Sequence, residues 1–256
     1  MPEKQQSFTV ENQPRTARAM RRRLAARVPR HAVLLVTLLS LYIINPFVQE
    51  FFSSRPGLIL LDLLVSTTLL VVTYDVHRSK RVLLVAAVFA VPAIAGRWAS
   101  YAVYSDWLSI FSHCFGFLFL AFTAVAILLN VLRPVRVTGD IVNGAVCVYM
   151  LVGLAWAFLF SLLEVLQPGS FNLPELSADP IDLAAMEVRR LSVFMYYSLV
   201  TLTTLGYGDI TPVTPLARNL AAFEAVMGQL YIAILVARLV GLHIVHAARD
   251  DKERGS

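Results

Sequence analysis

Long apolar runs alternate with short polar gaps along nearly the whole chain. A run of about 18 or more apolar residues reads as a membrane-spanning helix, because lipid offers the backbone no hydrogen-bond partner. The pattern predicts six spans: about His31 to Val48, Gly57 to Tyr74, Val82 to Ser100, Trp107 to Leu132, Gly144 to Leu166 and Leu216 to Val245. The expected class is an all-α membrane protein surrounded by lipid. Between the last two spans the alternation fails, at TLTTLGYGDITP, Thr201 to Pro212.

Composition supports this reading. Of 256 residues, 57% are hydrophobic and 15% charged, against about a quarter charged in soluble domains. The two cysteines, Cys114 and Cys147, both fall inside apolar runs, so buried thiols are expected rather than a disulfide framework. The net charge of +5 sits in flanks and loops, not on one amphipathic face, and gives no nucleic-acid signal. Residues 1–30 form a basic segment too long for the lead of a signal peptide, and read as a cytoplasmic tail before an uncleaved first span. Basic residues cluster in the second and fourth gaps: Arg78, Lys80 and Arg81, then Arg133 and Arg136. The positive-inside rule then puts both termini in the cytoplasm and Glu164 to Arg218 outside. The expected location is the plasma membrane.

The exceptional stretch thus enters from the outer side. Irregular backbone survives at membrane depth only when it is buried in protein or lines a water-filled path. The preceding RRLSVFMYYSLVT suits a short re-entrant helix ending near Thr203. The negative end of its dipole would point inward and favour a cation. If successive carbonyls must then face one axis, every second residue must be left-handed. Gly206 and Gly208 meet that demand without steric penalty.

On these residues the chain resembles the tetrameric potassium channels: TLGYGD, Thr204 to Asp209, is similar to their selectivity filter. The resemblance implies a homotetramer around a central pore. Carbonyls of Thr204, Leu205, Gly206 and Tyr207, with the Thr204 hydroxyl, would replace the water shell of K+. Gly208 and Asp209 would form the outer mouth. It implies a pore domain over 137–247, made of outer helix, turret, pore helix, filter and inner helix. Gly228, 22 residues beyond Gly206, would be the gating hinge. Helical spacing from Gln229 through Ile232, Val236, Val240 and Ile244 predicts the cavity lining. Leu205 stands where valine or isoleucine is usual, and Tyr196 and Tyr197 stand near a tryptophan pair that braces the filter tyrosine. Glu164 is expected either to bond backbone behind the filter or to be a solvated mouth carboxylate. The turret carries Glu175, Asp179, Asp182 and Glu187, and exposed carboxylates there would concentrate cations.

Residues 31–136 resemble a four-helix voltage sensor, yet the fourth span has no lysine or arginine before Arg133. Gating by voltage requires charge to move through the field, so strong voltage sensing is not expected. Asp62 and Arg97, near the outer ends of the second and third spans, are either an ion pair or a carboxylate beside a snorkelling arginine. His243 and His246 mark a candidate pH-sensitive gate. The tail at 248–256 is too short for a ligand-sensing module. No cofactor beyond permeant K+ is expected, and no Ser–His or Cys–His pair suggests an enzyme. The competing functions are a subunit of a potassium uptake system, a less selective cation channel, and a non-conducting regulatory or ligand-binding protein on a pore module.

Overall fold

The computed structural model describes residues 30–51, 55–75, 80–103, 105–132, 138–173 and 183–254. Their helices are α1 (Arg30–Phe51), α2 (Arg55–Asp75), α3 (Lys80–Ala99), α4 (Asp106–Leu132), α5 (Gly139–Leu166), α6 (Leu183–Leu202) and α7 (Pro215–Arg254). Two short strands, β1 (Phe171–Asn172) and β2 (Thr211–Pro212), pair antiparallel.

Among the described residues, five helices are long and apolar enough to cross a membrane: His31–Phe51, Val82–Ala99, Asp106–Leu132, Gly139–Leu166 and Pro215–Arg238. The second expected span is a shorter apolar helix over Ile59–Tyr74. The helix that carries it, α2, is 21 residues long in all, about 31 Å at 1.5 Å per residue. The segment expected to be re-entrant is a helix, and it starts at Leu183, six residues before RRLSVFMYYSLVT. Residues 248–254, read as a tail, continue α7. Residues 1–29, Arg78, Arg133, Arg136, Glu175, Asp179 and Asp182 lie outside the described residues.

The core runs along α5. It packs against α4, α6 and α1. Phe119, Leu120, Leu151, Leu154, Phe158 and Phe160 are fully buried there. Helix α4 shows how a membrane protein sorts its side chains. Its buried face mixes Ser109, Ser112, His113, Gly116 and Thr123 with Phe119, Leu120, Ile127 and Val131, while Phe111, Leu118, Val125 and Leu129 point outward. Lipid is as apolar as leucine, so no hydrophobic force drives large side chains inward, and small polar ones let helices approach. Ser112 Oγ donates to Ala93 O of α3 at 3.1 Å.

Asp62 and Arg97 form an ion pair, and both are buried. The Tyr101 hydroxyl donates to the second Asp62 oxygen at 2.6 Å. One turn along, Trp98 Nε1 donates to Ser66 Oγ at 3.1 Å. Arg97 therefore turns inward to a carboxylate instead of snorkelling, because Asp62 would otherwise be an unpaired buried charge. Removing one partner leaves the other exposed to that cost, about 3–5 kcal/mol. Asp62→Asn or Arg97→Leu should each depress the thermal midpoint strongly. The swap Asp62→Arg with Arg97→Asp should recover part of the loss, short of all because Tyr101 then faces arginine. No recovery in a thermal-melt assay would mean that the pair does not hold the two helices.

Candidate functional site: a left-handed alternating loop on a buried helix end

Helix α6 ends at Leu202, and its terminal carbonyls need partners that the helix itself does not supply. The chain provides them. Thr203 N donates to Leu199 O at 3.1 Å, Thr204 N to Thr201 O at 2.9 Å, and Leu205 N to Val200 O at 2.9 Å. The Tyr149 hydroxyl of α5 donates to Leu202 O at 3.1 Å. The loop thus leaves the helix in one fixed direction.

Past that point the backbone alternates. Thr204, Gly206 and Gly208 have φ of 58°, 60° and 81°, and none of the residues between them is left-handed. Glycine takes this region freely. Thr204 is β-branched and pays about 1–3 kcal/mol for it, so its surroundings must hold it. Gln229 Nε2 of α7 donates to Thr204 Oγ1 at 3.0 Å, and the Thr204 hydroxyl donates to Thr203 O at 2.7 Å. The side chains of Leu205 and Tyr207 are exposed, with little cover from their own chain.

Gly228 is placed by packing. A Cβ there would stand 2.1 Å from Leu202 O, so the missing side chain lets α7 cross directly beneath the end of α6. Ile232, Val236 and Val240, like Gln229, are exposed on α7. Helix α7 passes through His243, Ile244 and His246, whose side chains lie outside those described.

Glu164 bonds backbone, but that of the loop following α5. Its carboxylate accepts from Gly169 N at 2.8 Å and from Phe171 N at 3.2 Å. Phe171 pairs with Pro212 in the two-stranded sheet, and Val213 N donates to Ser170 O at 2.8 Å. Glu164 thereby anchors the strand that holds the exit of the loop. Glu187, expected among the exposed turret carboxylates, is buried, because it lies on α6 itself. Tyr196 and Tyr197 take separate tasks. Tyr197 packs in an aromatic cluster, 5.2 Å from Phe160 and 5.4 Å from Phe171 between ring centres. The Tyr196 hydroxyl donates to Asp209 Oδ2 at 2.6 Å. That bond holds the Asp209 carboxyl below its ordinary range.

Sequence reading missed Glu224 and Ser198. Glu224 of α7 is fully buried, and its Oε1 accepts from Ser198 Oγ of α6. Ser198 also reaches Gly153 O of α5 at 2.7 Å. One serine proton serves one of these acceptors at a time, so three helices meet in a single hydrogen-bonded knot. Its one visible signal was a lone carboxylate in the apolar part of the last span.

The family model described as "Ion channel" matches residues 176–242, which take in all of α6, the alternating loop and much of α7. Neither the curated proteins nor the solved structures compared with the chain give a match. The family match and the apolar helices support an ion channel embedded in a membrane.

Two outcomes follow from this geometry. Gly228→Ala should destabilise by about 1–3 kcal/mol through overpacking against Leu202. If Gly228 served only as a bend, alanine would instead stiffen the helix and leave the melting temperature level or higher. The Asp209 contact is complete above the ordinary aspartate value of 3.8 and is lost only as pH falls through the lower folded value. A carboxyl NMR titration should place the Asp209 midpoint below 3.8 and move it up in Tyr196→Phe; equal midpoints would contradict the bond.

Proposed function

We propose that the protein is a homotetrameric, potassium-selective channel that conducts K+ passively across the plasma membrane, with both termini cytoplasmic. The observation that carries this reading is the left-handed backbone at Thr204, Gly206 and Gly208. Such alternation turns consecutive carbonyls to one side, which a ring of four chains needs in order to replace the hydration shell of an ion. Thr204, Leu205, Gly206 and Tyr207 would supply the ion sites, and Gly208 with Asp209 the mouth. The apolar residues Phe223, Val226, Leu230 and Ile234 of α7 are left exposed by a single chain. Neighbouring copies would cover part of them, and Gln229, Ile232, Val236 and Val240 would line the cavity. Passive conduction asks for no catalytic group and no cofactor. The fourth span lacks gating arginines, so conductance should depend only weakly on voltage.

The test is flux through purified protein in liposomes under a potassium and then a sodium gradient, with voltage stepped in the same preparation. Potassium current that excludes sodium and is nearly flat in voltage is the expected result. Gly206→Ala and Gly208→Ala should each abolish it, since alanine resists positive φ. Equal sodium and potassium flux would replace this reading with a less selective cation channel.

A further inference from the structure

The feature that the filter reading leaves unexplained is why a strained threonine is tolerated at the first left-handed position. We propose that Gln229 is a specificity-determining positioning residue, whose side-chain amide holds the Thr204 hydroxyl and thereby sets the innermost cation site. This rests on the filter reading above and adds to it a residue otherwise assigned only to the cavity wall.

The geometry has two steps. Gly228 has no side chain, and the place where its Cβ would sit lies 2.1 Å from Leu202 O. That close approach brings the next residue of α7 within reach of the loop, and Gln229 Nε2 lies 3.0 Å from Thr204 Oγ1. An amide donor so placed occupies one lone pair of the hydroxyl, while the hydroxyl proton goes to Thr203 O at 2.7 Å. The Thr204 oxygen is left with fixed orientation and one remaining lone pair. A hydroxyl held in this way presents its oxygen to a cation without first reorganising, whereas a freely rotating one must first reorient. Leucine at 229 keeps the bulk and removes the donor.

The probe is Ba2+, a divalent ion close to potassium in size, applied to the full-length protein in bilayers and read as block of potassium current. Gln229→Leu should weaken block about tenfold, the scale of one lost hydrogen bond that leaves a polar partner unmet. Thr204→Ser, which keeps the hydroxyl, should retain the sensitivity to Gln229→Leu. In a Thr204→Ala background the same change should shift block less than twofold. Unchanged block in Gln229→Leu, or an equal change with and without the Thr204 hydroxyl, overturns the proposal. Should Gln229→Leu or Thr204→Ala not conduct, the upward shift of melting temperature by Ba2+ in purified protein gives the same comparison without current. A wild-type protein that passes sodium as well as potassium would instead defeat the filter reading, and the Ba2+ melting shift would still decide for or against Gln229.

Discussion

The end of α6 is the constraint on which the following loop and the course of α7 depend. A helix that stops inside a membrane protein leaves carbonyls that lipid cannot solvate. Here the chain folds back to serve them: the amides of Thr203, Thr204 and Leu205 return to Leu199, Thr201 and Val200. Leu202 O takes the Tyr149 hydroxyl and lies against the bare backbone of Gly228. Satisfying those acceptors fixes how the loop departs. It also draws α7 in, and puts Gln229 beside Thr204. The left-handed alternation is thus the continuation of a helix end whose partners leave it one exit.

Polar contacts of the same kind tie α1 and α4 to the helices that follow. The α6 helix is braced from outside the pore region. Asn45 Nδ2 of α1, buried in mid-helix, donates to Ser192 Oγ at 3.0 Å. The Tyr42 hydroxyl donates to Met150 O of α5 at 3.2 Å. At the opposite end, Arg238 of α7 donates to Leu132 O, the last carbonyl of α4, a natural partner for a cation at a helix C-terminus. Polar contacts therefore join the sensor-like half to α5, α6 and α7 within one chain.

Some of this was legible in the sequence and some could not be. Gly206 and Gly208 announced positive φ because no other residue accepts it freely, and the structure places it at both. Thr204 gave no such sign, since its conformation is imposed by partners on α6 and α7. Asp62 and Arg97 stood out as a candidate pair because burying either alone is costly, but sequence left a snorkelling Arg97 equally open, and the structure takes the pair. Glu224 with Ser198, and Asn45 with Ser192, are separated by 26 and 147 residues, and each residue alone reads as an ordinary polar interruption. Gly228 shows the limit most clearly. A glycine permits bending and it permits close approach, and sequence does not separate the two. The Leu202 carbonyl shows that close approach is in use.

The absence of gating arginines from α4 also acquires a structural counterpart. Work done by a membrane field scales with the charge that moves through it, and the apolar span of α4 offers no lysine or arginine before its inner end. What α4 buries is a mixture of small polar groups with Phe119, Leu120, Ile127 and Val131. Ser112 bonds Ala93 O and Thr123 bonds Phe119 O, and Gly116 lies where a Cβ would meet the Phe158 ring at 2.4 Å. Sliding α4 along α5 would drive its backbone into that ring and separate Ser112 from α3, with no transferred charge to offset either loss. Within the chain, the Gly116–Phe158 approach and the Ser112 bond therefore both resist displacement of α4 along its neighbours.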